Sequence, residues 1–182
     1  MNATGSSTAG KRAARLLTLI GSLAMILGAI DPLEGSLLVL PGSGLVALGA
    51  VLGGAGRRDI AYRVGVFVTI TTGVGALWGL SSLGGLGGNT GRSLWWGVLI
   101  LPYLVGWSMG IWGPRSPRWL LITGIGVGVW YLALLALIQT RSGGPPQPVS
   151  NLAGLALGAI GLLTIAGCVT RLCAGAPARP VG

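Results

Sequence analysis

Polar and apolar positions along this chain follow neither the 3.6-residue nor the two-residue period of a half-buried element; they fall into blocks. Runs almost free of charge occupy residues 14–30, 36–54, 64–83, 94–112, 119–138 and 152–169, with lengths of 17, 19, 20, 19, 20 and 18 residues. As α-helix each run would measure about 25–30 Å, close to the thickness of a bilayer's hydrocarbon layer. Strands of a membrane barrel alternate apolar and polar positions over about 10 residues. The stretch "LLVLPGSGLVALGAVL" (residues 37–52) has no such alternation. Backbone polar groups in lipid must be satisfied within a helix or around a closed barrel. The pattern therefore predicts an all-α membrane protein, a six-helix transmembrane bundle built from three helical hairpins. Short tails at 1–13 and 170–182 flank the spanning domain at 14–169.

The segments between the blocks carry helix-start chemistry. Asp59, Ser93 and Ser150 each precede an apolar run, and Ser116-Pro117 precedes "RWLLITG". Such residues accept or avoid the orphan amide protons of a first turn. In "GAIDPLEGSLLVL", Asp31, Pro32 and Glu34 stand as N-cap, first helical residue and third, an Asp version of the capping box. The rival reading of Asp31 and Glu34 is a carboxylate pair binding a cation, but two carboxylates alone make a weak site. The capping reading is the stronger one. Ser36, Ser93 and Ser150 recur at 57-residue intervals, as do Gly53, Gly110 and Gly167. In a chain this rich in glycine, chance produces such columns, so they do not establish a triplication.

Composition reinforces the block pattern. The chain is 52% hydrophobic and 8% charged, with a mean hydropathy of +0.80, where a soluble domain carries about 25% charged residues. The formal charge of +9 would suggest nucleic acid in a soluble protein; its placement indicates topology instead. Lys11, Arg12, Arg15, Arg57, Arg58, Arg63, Arg115, Arg118, Arg171 and Arg179 fall at alternate block boundaries, leaving only Arg92 and Arg141 at the others. That asymmetry is the positive-inside pattern and predicts both termini to be cytoplasmic. Trp95 and Trp96 at one boundary, with Tyr62, Trp112 and Trp119 at the other, predict an aromatic belt. Arg63, one turn beyond the helix start expected at Asp59, is expected to snorkel outward from the lipid. The start "KRAAR" followed by an apolar run resembles a secretory signal, but no small-x-small cleavage site follows, so the run is expected to be retained. Eleven Arg against one Lys, with abundant Gly and Ala, suggests a GC-rich bacterial genome. The expected location is thus the bacterial cytoplasmic membrane.

Glycine supplies 35 of the 182 residues. Pairs four apart occur at Gly49/Gly53, Gly106/Gly110, Gly124/Gly128 and Gly154/Gly158. Small residues at that spacing let helices approach closely in lipid. Packing within one bundle is the first expectation, and an interface with another copy or another membrane protein the second. The lipid bilayer is the one partner the composition demands.

Catalytic chemistry has little to draw on. The chain has no His, and no Asp, Glu or Lys lies within an apolar run. Ser22, Ser43, Ser81, Ser82 and Ser108 therefore lack an adjacent base, and the hydroxyls of "TITTG" (Thr69, Thr71, Thr72) are expected to bond their own helix. "GGLGGNTGRS" lacks the first glycine and the lysine of a phosphate loop. Cys168 and Cys173, five apart, suit neither a disulfide nor a shared metal. No cofactor or nucleic-acid ligand is expected, and the chain reads as a non-enzyme. A structural or accessory membrane role is the leading expectation. The alternative is a small transporter or channel for a neutral or weakly polar solute, with Pro41-Gly42 and Pro102 as possible helix breaks.

Overall fold

The computed structural model describes residues 8–30, 35–84, 98–99, 101–141 and 148–174. Among them are six helices and no strands: α1 (Thr8–Leu27), α2 (Ser36–Leu52), α3 (Arg57–Ser82), α4 (Leu101–Ile111), α5 (Arg118–Arg141) and α6 (Pro148–Ala174). The all-helical class matches the block pattern. Two helical stretches, Arg57–Ser82 and Arg118–Leu137, have both the length and the apolarity to cross a membrane. Helix α1 devotes its first turns to Lys11, Arg12 and Arg15, α2 has 17 residues and α4 has 11. Helix α6 has 27 residues, and its described side chains form an apolar stretch over Gly158–Ala174.

The chain forms two compact units, Met1–Gly113 and Pro114–Gly182. In the first, α1 packs on α2, α2 on α3 and α3 on α4; in the second, α5 packs on α6. Helices α1, α3 and α6 start before their apolar runs, because hydropathy marks where lipid-compatible sequence begins, whereas a helix extends as far as its hydrogen bonds can be closed; α1 and α2 end two or three residues inside theirs. Helix α1 extends back to Thr8, through Lys11 and Arg12. Helix α3 starts at Arg57, with Gly56 rather than Asp59 as its N-cap; the Gly56 carbonyl accepts from Asp59 (2.9 Å) and Ile60 (3.1 Å). Asp59 thus lies in the first turn, where a carboxylate still complements the helix dipole. Helix α6 starts at Pro148, placing Ser150 inside the first turn, and proline's fixed φ suits that first position. In α5 the Pro117 carbonyl accepts from Leu120 and Leu121, so Pro117 is the cap and Arg118 the first helical residue.

Helix α2 begins at Ser36, with the Gly35 carbonyl accepting from Leu38 (2.9 Å) and Val39 (2.8 Å) and no side-chain cap. The first bonds of α2 are thus anchored one residue beyond Glu34. Asp31 and Glu34 themselves lie outside the described residues, as do Arg92, Ser93, Trp95 and Trp96. Helix α2 ends in a Schellman closure: the Ala55 amide donates to the Ala50 carbonyl (3.1 Å) and the Gly54 amide to Val51 (3.2 Å), with Gly54 at φ 65°.

Small residues share the buried contacts with larger ones such as Val39, Val46 and Ile160, and many large apolar side chains face outward. On α1 the buried residues are Ala14, Gly21, Ser22 and Met25, while Leu16, Leu19, Ile20, Leu23 and Leu27 are exposed. On α2, Ser36, Gly42, Ser43 and Gly49 are buried, and Leu37, Leu38, Leu48 and Leu52 are exposed. On α6, Thr164 and Cys168 are buried and Leu155, Leu162 and Leu163 are exposed.

Candidate functional site

Small residues determine which faces of the first unit meet. A Cβ built on Gly21 would lie 2.5 Å from the Gly42 carbonyl oxygen, and one on Gly42 would lie 2.8 Å from that of Gly21. Gly28 stands equally close to the Gly35 carbonyl, at 2.6 Å, and Gly49 to the Ala14 carbonyl, at 2.9 Å. Ala14, Gly21 and Gly28 are seven apart, as are Gly35, Gly42 and Gly49. Paired in opposite order, they form an antiparallel seam that renews itself every two helical turns. The four-residue rule finds Gly49 and Gly53 but passes over Gly21, Gly28 and Gly42. The signal that would have found them is the seven-residue recurrence on both sides of one turn.

Other small residues occupy further helix contacts. Gly106 meets Ile70 and Thr69 of α3, and Gly110 meets Met25 of α1 and Val66 of α3. Gly73, which the four-residue spacing does not mark, meets the backbone of Tyr103. In the second unit, Gly128 and Gly161 each place a Cβ position 2.9 Å from the other's carbonyl oxygen. Gly124 is buried, and Gly158 has the Leu135 Cδ2 methyl 3.2 Å from its Cβ position. Gly154 lies in α6, and its surroundings are outside the description.

A polar cluster holds the C-terminal end of α4. The Tyr62 hydroxyl donates to the Met109 carbonyl (2.8 Å), and Arg63 Nη1 donates to the next carbonyl, Gly110 (3.2 Å). These are among the last carbonyls of α4, which have no partner within the helix and carry its negative dipole end. A guanidinium there supplies both the missing donor and the complementary charge. Arg63 is 8% exposed, so it turns inward to α4 rather than snorkelling. Close approach is possible because Gly113 leaves room: its Cβ position lies 2.8 Å from Tyr62 Cε1 and 3.4 Å from Arg63 Cζ. Farther along α4, Trp107 Nε1 donates to the Met25 carbonyl (2.9 Å), tying α4 to α1.

Most of the hydroxyls of α3 and that of Ser43 are locally satisfied. Thr69, Thr71 and Thr72 donate to the carbonyls of Gly65, Phe67 and Val68 at 2.8, 2.8 and 2.9 Å, and Ser43 donates to Leu40 at 2.8 Å. Pro41 lies within an unbroken α2, and Pro102 falls in the first turn of α4, where a missing N–H costs little. Cys168 is buried and Cys173 exposed, both as free thiols. Among the described residues, no three His, Cys, Asp or Glu side chains group as metal ligands. Comparison with protein-family models, with curated proteins and with solved structures finds no match.

Proposed function

We propose that the chain is a polytopic integral membrane protein of the bacterial cytoplasmic membrane. In this reading six helices span as three hairpins, both termini are cytoplasmic, and the role is structural or accessory rather than catalytic. The observation that carries it is the amount of large apolar side chain left facing outward. Glycine, alanine and serine share the helix contacts with residues such as Ile70 and Leu120, while leucines, isoleucines and valines on every helix also face outward, with Ile30 70% and Leu155 72% exposed. In water such a surface would drive aggregation. In lipid it is the surface expected, because small residues rather than leucines bring helices together there. The two long apolar stretches add to this reading, since 28% of either 18-residue window is buried.

An accessory role is favoured over transport because the hydroxyls of "TITTG" donate to their own helix and neither Pro41 nor Pro102 interrupts a helix. The test joins two measurements on the full chain. Resistance to alkaline carbonate extraction together with a stoichiometric membrane partner recovered in mild detergent is expected. Release by carbonate would overturn the membrane reading, and solute-specific uptake into proteoliposomes would replace the accessory role with transport.

A further inference from the structure

Five exposed cations gather at one end of the first unit. Lys11, Arg12 and Arg15 lie in the first turns of α1, and Arg57 and Arg58 open α3; all five are exposed. The hairpin brings the two groups together. The Cβ position of Gly53, at the end of α2, lies 3.2 Å from the Ala14 Cβ of α1. From Gly53 to Arg57 the chain has four residues to travel, at most about 14 Å even when extended. None of the five is ion-paired among the described residues, where Asp59 is the only carboxylate, and the field of Asp59 acts on Arg63. Five like charges also crowd the positive ends of two helix dipoles, an arrangement unfavourable without an external anion.

We propose that this end binds the phosphodiester headgroups of anionic lipid at the bilayer surface. The inference rests on the membrane reading above. What favours lipid over a soluble polyanion is the sequence of surfaces along each helix. On α1, Arg15 is followed by exposed Leu16 and Leu19, and on α3, Arg58 is followed by exposed Val64 and Val68. Exposed apolar side chains thus begin beside Arg15 and within two turns of Arg58, so cation and hydrocarbon-facing side chain adjoin as headgroup and acyl chain do. A soluble polyanion would use the cations and leave the adjoining apolar belt uncovered. Basic clusters of four to eight residues beside a membrane helix suit this partner, each cation strengthening attraction by about fivefold.

The test uses the full chain in vesicles of equal phosphatidylcholine and phosphatidylglycerol. After carbonate washing and mild detergent extraction, the headgroups that stay with the protein are measured. Wild type is expected to retain phosphatidylglycerol over phosphatidylcholine by at least about fivefold, a preference that falls as salt rises. The variant K11Q/R12Q/R15Q/R57Q/R58Q is expected to retain the two equally. Should that variant lose its helical circular dichroism, K11Q/R12Q/R15Q and R57Q/R58Q carry the test, each expected to lose part of the preference. Release by carbonate would mean that the membrane reading has failed. Retention in the vesicle with no lipid preference, or a preference unchanged in the variants, would overturn this inference alone. Equal competition by millimolar inorganic phosphate would assign the patch to a free anion, and displacement of lipid by an oligonucleotide to nucleic acid; either would overturn it too.

Discussion

Gly54 and Gly56 sit two positions apart in the turn between α2 and α3 and differ in what they tolerate. Gly54 closes α2 at φ 65°, whereas Gly56 is extended at φ −60°, ψ 152° and has open space where a Cβ would be. Gly54→Ala should cost about 1 kcal/mol, the left-handed penalty of an L-residue. Gly56→Ala should be neutral, or stabilise by about 0.4–1 kcal/mol through a less flexible unfolded chain. Thermal melts of both variants in one detergent check this; equal losses would show that the turn is not held by the Schellman closure. The same scale applies to the α4 clamp. Tyr62→Phe should cost about 0.5–1.5 kcal/mol, one hydrogen bond. Arg63→Ala should cost more, about 1.5–3 kcal/mol, since it removes a charged donor from a buried carbonyl. Arg63→Lys should recover little of it, because a single ammonium does not reproduce the reach of the planar guanidinium. Nothing in the sequence marks this contact: the partners are 47 positions apart, and an arginine one turn beyond an expected helix start reads equally well as snorkelling.

At the scale of helices, apolar blocks were legible and seams were not. Each described helix overlaps one predicted run, because runs of this length without the alternation of a barrel strand leave the helix as the way to satisfy the backbone in lipid. The ends were less legible, since Lys11, Arg12 and Arg57 are good helix formers that hydropathy excludes. Gly49, Gly53, Gly106, Gly110 and Gly128 were marked by spacing, yet with so many glycines the same rule cannot tell the closest approaches from the rest. Gly73 and Gly75 show why. Gly73 abuts the Tyr103 backbone, and a Cβ on Gly75 would have nothing within 4 Å; the two stand on opposite sides of one helical turn, and a run that is apolar all round does not tell which side meets α4. Gly73→Ala and Gly21→Ala should each destabilise by about 1–3 kcal/mol, because backbone rather than a movable side chain occupies the space. Gly75→Ala and Gly65→Ala should be tolerated. Gly158→Ala should be milder than Gly161→Ala, since the flexible Leu135 can yield where the Gly128 carbonyl cannot. Detergent melting temperatures rank the set, and a uniform loss at all six would remove the distinction between seam and surface glycines.

For the whole molecule, the two units make the same topological demand independently. In the first, the α1–α2 seam and the α3–α4 clamp fix antiparallel neighbours, so Arg57 and Arg58 share an end with Lys11 and Arg12, and Leu83 lies at the opposite end of α3. In the second, Gly128 against Gly161 pairs α5 with α6 in opposite directions, so Arg118 and Arg171 share an end and Thr140 lies at the other. Positive charge therefore orients each unit by itself. If six helices span, Gly56 and Pro117 face the cytoplasm, and Leu83 and Thr140 face outward. In a C168A/C173S background, single cysteines at Leu83 and Thr140 should react in intact cells with a membrane-impermeant maleimide. Those at Gly56 and Pro117 should react only after permeabilisation. Agreement at Gly56 and Leu83 with reversal at Pro117 and Thr140 would mean that an odd number of crossings separates Leu83 from Thr140, and would place the error in the short helix α4, whose 11 residues cover about 16 Å, roughly half of the hydrocarbon layer.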